Sequence, residues 1–172
     1  MTVNSTADPG GCNSTEYTLR KAITTSNGLP TTDTINFNIP DGPAPGRPGG
    51  LGIALNNDGV TANDNKDPDT GPNKLQNFPI ITSASTTTVT GSLNSRPSKT
   101  FTIQFFSNPA PNFPTGFGEG ETFLGEKTVT TNDRGRATFN FNTSVSAGQL
   151  VTATATDASG NTSEFSQALT VG

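Results

Sequence analysis

From Ile80 to Gly172, apolar side chains recur at every second position in a succession of short runs. The clearest run lies near the end of the chain, where Val151, Ala153 and Ala155 alternate with Thr152, Thr154 and Thr156. A period of two puts alternate side chains on opposite faces, so this stretch predicts a half-buried strand with a threonine face turned outward. Asp157 to Asn161 reads DASGN and supplies turn chemistry, because Gly tolerates positive φ and Asp and Asn side chains bond nearby backbone. Ser163 to Val171 then predicts a second strand, with Phe165, Leu169 and Val171 as its apolar positions. Upstream, Ile80 to Ala84 predicts a strand, and Val89, Gly91 and Leu93 mark one face of the next. Phe101, Ile103 and Phe105 alternate in a third, followed by a long Pro/Gly/Phe-rich loop, Ser107 to Glu121. Phe123 to Thr131 and Ala137 to Asn142 complete the set, joined by an Asn-Asp-Arg-Gly turn and with Phe139 and Phe141 inward. Short strands of this spacing with polar turns predict a mainly β fold, a seven-stranded immunoglobulin-like β-sandwich over residues 80–172.

The first forty residues follow another pattern. Thr2 to Thr6 predicts a short strand, and Thr18 to Asn27 a helix with Leu19, Ala22 and Ile23 on one face. Ser14 or Thr15 caps its start, and Gly28 with Pro30 stops it. In Asp33 to Ile39, Ile35, Phe37 and Ile39 alternate with polar residues and predict a strand. Residues 1–40 thus form a small strand-helix-strand appendage with too few large apolar groups to be stable alone. Residues 41–79, rich in Gly, Pro, Asp and Asn, predict a linker.

Three segments of the appendage, TVNSTADPG, CNSTEYTLRKAI and TDTINFNIP, together resemble the N-terminal CSLREA-type element of large bacterial secreted proteins built on a right-handed parallel β-helix. Its core here reads Tyr17, Thr18, Leu19, Arg20, Lys21, Ala22. Tyr17 stands where that family has its second cysteine, and Lys21 where it has Glu, so the disulfide the resemblance implies for Cys12 has no partner. LNNDGVT and DTGPNKLQNFP, within residues 51–79, resemble the segment leading from the β-helix into a C-terminal sandwich domain. TGFGEGETFLG and VTATATDASGNTSEFS resemble the Ig-like module at the ends of such proteins. The resemblance implies a β-helix cap joined to a terminal sandwich with the coils between them missing.

Composition narrows the readings. Only 29% of the 172 residues are apolar, 14% are charged, and Gly and Pro number 19 and 13. That recipe suits short strands better than helices, and its low charge argues against charge-driven disorder. Eleven aromatics are Phe, one is Tyr and none is Trp, which predicts a thin, Phe-based core. A net charge of −4 with scattered basic residues argues against nucleic acid as a partner. No apolar run approaches the roughly 20 residues of a membrane span. The first residues lack the basic start and apolar core of a signal peptide, so the expectation is a chain whose leader was removed or that belongs to something larger. The single cysteine leaves the redox compartment unread.

Histidine is absent, which excludes Ser-His-Asp and Cys-His nucleophile systems and His-containing zinc sites. Glu119 and Glu121 form a carboxylate pair of the kind glycoside hydrolysis needs, although solvated loop charges are the plainer reading. Asp58, Asp64, Asn65, Asp67, Asp69 and Asn73 crowd one stretch around Gly59 and Gly71, and alternating Asp and Asn can supply the oxygens of a calcium site. Asp67, Asp69 and Asn73 are the candidate ligands, although no Glu follows at the bidentate position of an EF-hand; the competing reading is a solvated Asx-turn linker. The Asp157–Asn161 turn is a second candidate. Phe106, Phe113 and Phe117 around the long loop offer a sugar-stacking surface, or else plug the end of the sandwich. Asn4, Asn13, Asn142 and Asn161 match the glycosylation rule, which a chain rich in Asn and Thr meets by chance. The chain therefore reads as a non-enzymatic, extracellular structural or adhesive module whose partners are neighbouring domains of a larger surface protein or a ligand such as a glycan. The alternatives are a carbohydrate-binding module or a fragment of a polysaccharide-processing enzyme.

Overall fold

The computed structural model describes residues 2–3, 36–37, 51–56, 59–109 and 116–172, and the chain divides into two compact units, Met1–Ala44 and Pro45–Gly172. In the first unit β1 (Thr2–Val3) runs parallel to β2 (Asn36–Phe37), with Thr2 opposite Asn36 and Val3 opposite Phe37. Parallel neighbours need a crossover between them rather than a tight turn. The helix expected over Thr18–Asn27, the remainder of both expected strands, Cys12, the Pro/Gly stretch at 41–50, Asp58 and Phe113 lie outside the described residues.

The second unit contains two antiparallel sheets. One has the order β3 (Ile80–Ala84), β4 (Thr88–Asn94), β7 (Arg136–Asn142). The other has the order β6 (Thr122–Thr130), β5 (Thr100–Asn108), β8 (Leu150–Asp157), β9 (Leu169–Thr170). The alternation read from the sequence sets which faces meet. Val89, Leu93 and Phe139 from the first sheet pack against Phe101, Ile103, Phe105, Val151, Ala153 and Ala155 from the second. Gly91 is required inside that core, since a Cβ there would stand 2.3 Å from the Ile80 carbonyl oxygen. The core is Phe-based as expected: Phe105 stacks on Phe141 at 4.3 Å and meets Phe139 edge-on at 5.4 Å.

Two expectations need correction. The threonine face of β8 is not turned outward: Thr152 and Thr154 are buried along with the apolar residues between them. Part of the covering comes from the backbone of the loop that precedes β6, where the Glu119 carbonyl accepts from Thr152 Oγ1 at 2.6 Å. Alternation reports which residues share a face but not what covers that face. The expected strand Ser163–Val171 is also interrupted, and only Leu169–Thr170 belongs to β9. Before it, Ser163 and Ser166 accept from Ala155 N (2.9 Å) and Ala153 N (3.0 Å) through their hydroxyls, while their own amides donate to the carbonyls of the same two residues. Side chains thus stand in for carbonyls along β8, and Glu164 and Phe165 are set between the two attachment points.

Of the linker expected over residues 41–79, the described residues 51–56 and 59–79 are bonded to the sandwich and to themselves; we call them the arm. Glu164 Oε1 accepts from Leu55 N at 2.9 Å and Oε2 from Thr61 N at 2.8 Å. Asn63 and Phe78 exchange two bonds, and the Asn77 carboxamide holds Asp64 N, Asp64 O and Asn94 O. Polar side chains here saturate backbone groups that a solvated linker would leave to water.

Candidate metal centre

The run Asn63 to Asp69 (NDNKDPD) cannot be helical, because Pro68 removes a donor and restricts the residue before it. Lys66 and Asp67 both take positive φ, 68° and 54°, so the run folds back on itself beside the end of β4. Lys66 N donates to Asn94 Oδ1 at 3.0 Å, and Asp67 is sunk to 0% exposure. Its Oδ2 accepts from Ser95 Oγ at 2.5 Å, and Ser95 Oγ accepts in turn from Gln76 Nε2 at 2.9 Å. Arg96 Nε donates to the Asp67 carbonyl at 3.3 Å.

The fold-back brings three carboxylates together. One oxygen each from Asp64, Asp67 and Asp69 lies within 4.8 Å of the others. Asp67 Oδ1 and Asp69 Oδ1 are buried without a hydrogen-bond partner, and so is Gln76 Oε1. Burial pushes the Asp67 carboxyl above its ordinary 3.8, with Asp69 and Asp64 adding to the rise and the Ser95 bond and the Arg96 charge opposing it. Asp69 is raised as well, chiefly by burial and then by Asp64. The arrangement can hold a hard cation through an all-oxygen donor set.

Of the residues singled out from the sequence, Asp67 and Asp69 meet here. Asn73 is engaged elsewhere, its Oδ1 accepting from Thr162 N at 3.1 Å. Asp64 completes the cluster; it stood in the same Asx-rich run, but spacing gave no reason to prefer it to Asp58 or Asn73. Ser95, Gln76 and Glu164 carried no signal, because each is defined by a partner distant in sequence.

The second candidate, the Asp157–Asn161 turn, has its carboxylate occupied. Oδ1 accepts from Ser159 N (2.8 Å) and Asn161 N (3.0 Å), Oδ2 accepts from Asn161 Nδ2 (2.8 Å), and Lys74 Nζ stands 3.6 Å away. Burial acts to raise this carboxyl, but the Asn161 and Ser159 bonds and Lys74 together hold it below 3.8. A depressed carboxylate stabilises the fold above the ordinary value and loses that contribution as pH falls through the lower, folded value. Asp157→Asn should therefore cost about 1–2 kcal/mol at pH 7. The gap to wild type should close below pH 3.8, as urea titrations at several pH values would show; a gap independent of pH would contradict it.

Glu119 and Glu121 have exposed side chains and act through their backbone, which bonds Asn108 and Thr152. The phenyl rings are tilted rather than coplanar: Phe106 meets Phe165 at 76° and Phe123 at 59°, and Phe117 meets Phe78 at 72°. Asn161 is tied to Asp157, whereas Asn142 is exposed at the end of β7. Among the described residues no helix is long and apolar enough to cross a membrane. No protein-family model matches this chain, and no curated protein matches it in sequence.

Proposed function

We propose that this chain is a non-enzymatic, extracellular structural module of a bacterial surface or secreted protein, with an Ig-like sandwich as its rigid body. The sheet orders β3-β4-β7 and β6-β5-β8-β9 support the Ig-like reading. They differ from the constant-type arrangement in one respect, since the fourth strand, β6, pairs with β5 instead of joining the first sheet. The resemblance of residues 2–40 and 51–79 to the ends of bacterial β-helix proteins supports the location.

One observation carries the mechanical reading: the arm is clamped onto the sandwich at Glu164, at Asn94 and at Ser95. A pull arriving along the chain at residue 51 meets the Glu164 clamp before it reaches β3. Arm and sandwich should then resist as one body and transmit load without lengthening.

Single-molecule pulling of the full chain tests this. Residues 51–172 released together would lengthen the chain by roughly 400 Å in one step, against roughly 300 Å for residues 80–172 alone. A single step near the longer value is expected. Gradual peeling of the arm at low force, followed by the shorter step, would refute the clamp.

A further inference from the structure

The geometry points to a calcium site formed by Asp64, Asp67 and Asp69, in which one ion fixes the fold-back of the arm beside the end of β4. Two oxygens bound to the same calcium at 2.3–2.6 Å can be separated by roughly 5 Å at most. The cluster, within 4.8 Å, is of that size.

An acidic cluster alone would carry little weight, because acidic side chains crowd many surfaces. Here the second observation is burial without a partner. Asp67 is fully enclosed, Ser95 serves only its Oδ2, and its Oδ1 receives no donor. Asp69 Oδ1 is in the same condition, and so is Oε1 of Gln76, a buried residue outside the cluster whose carboxamide reaches Asp67 through Ser95. Buried carboxylate oxygens in native proteins are paired or bind a metal, since an unpaired buried charge is strongly unfavourable.

The charge also matches. Three carboxylates against the single guanidinium of Arg96, which pulls on Asp67 and Asp69 alike, leave a local charge of about −2 for a divalent cation to neutralise. The donor atoms are oxygens on a short backbone loop, and no histidine exists in the chain to favour a softer metal. Calcium accepts irregular sets of six to eight oxygens and tolerates water among them, whereas magnesium demands a near-ideal octahedron. All three carboxylates belong to the arm, and Asp67 alone also bonds the residue that follows β4. Ion binding and docking of the arm are thereby coupled: the ion removes the repulsion that packing Asp67 against Ser95 would otherwise impose.

The test uses the full chain, stripped with chelator and unfolded in urea at pH 7.5 under circular dichroism. Samples contain calcium chloride, magnesium chloride, or sodium chloride at matched ionic strength. With the affinity of about 10⁻⁴ M common for extracellular calcium modules, 10 mM calcium should lower the unfolding equilibrium constant roughly 100-fold. Magnesium should do much less, and sodium nothing. Asp69→Asn should abolish the calcium response while leaving the ion-free protein as stable as wild type or more so. Asp67→Asn should abolish it too, while keeping an oxygen for Ser95. Equal effects of the three salts, or a full calcium response in both variants, would overturn the site. So would a wild type that ignores calcium and is stabilised by acid alone, because a proton shared among the carboxylates would then replace the ion. The site is separable from the mechanical reading: a calcium response without a cooperative unfolding step, or the reverse, would refute one and leave the other standing.

Discussion

Glu164→Ala should lower the stability of the second unit by about 2–5 kcal/mol, and Glu164→Gln should recover less than half of that loss. Glu164 is 2% exposed, yet its partners are two backbone amides and the Thr61 hydroxyl, with no cation among its hydrogen bonds. Removing the carboxylate leaves Leu55 N and Thr61 N without an acceptor, and each unsatisfied buried donor costs about 1–3 kcal/mol. Glutamine keeps the shape but not the chemistry. Each oxygen of Glu164 accepts from a different amide, so whichever way the carboxamide turns, its NH₂ faces a donor. Urea titration followed by circular dichroism gives the stabilities, since the chain has no Trp for fluorescence. Hydrogen exchange gives the location: protection should fall first at Leu55 and Thr61, with β5 and β8 least affected. A glutamine variant as stable as wild type would show that the amides find other acceptors and that Glu164 does not hold the arm.

Phe105→Ala should cost about 3–5 kcal/mol, the usual range for emptying a large aromatic site in a core. Phe105 lies on β5 at 0% exposure and faces two rings of the opposite sheet, stacked on Phe141 and edge-on to Phe139. Phe105 is among the largest fully buried side chains of the core that joins the two sheets. Both β5 and β7 are anchored by their ladders, so the site cannot collapse easily and a cavity should remain. Phe123 on the edge strand β6 is the control. It is 54% exposed, and Phe123→Ala should cost under about 1 kcal/mol. Equal losses for the two variants would mean that the sheets are not joined through Phe105.

These two residues also separate what was legible from what was not. Phe105 announced itself, because Phe101, Ile103 and Phe105 alternate with polar neighbours and a strand has only two faces. Glu164 announced nothing. It lies between two residues of a stretch that reads as a strand, and its partner Leu55 is 109 residues away. The acidic cluster falls between these cases. Its members sit within one short run, so the residue types were visible, but the choice of Asp64 over Asn73 depended on the positive φ of Lys66 and Asp67 and on Asn77 holding Asp64 by its backbone.

The amino-acid sequence by itself determined the strands of the second unit from β3 to β8, the apolar positions that face its core, the Phe core and the Asx-rich turns. Each of these follows from side-chain period or local backbone chemistry over a few residues. Only the tertiary structure decided that the threonine face of β8 is covered, that two serine hydroxyls interrupt the last strand, and that Leu55, Thr61, Asp67 and Asn77 are bonded to Glu164, Ser95 and Asn94 of the sandwich. Those outcomes turn on polar groups finding partners across tens of residues. Hydrogen-bond donors and acceptors carry no period, and which pairs meet is settled only when the chain has closed around them.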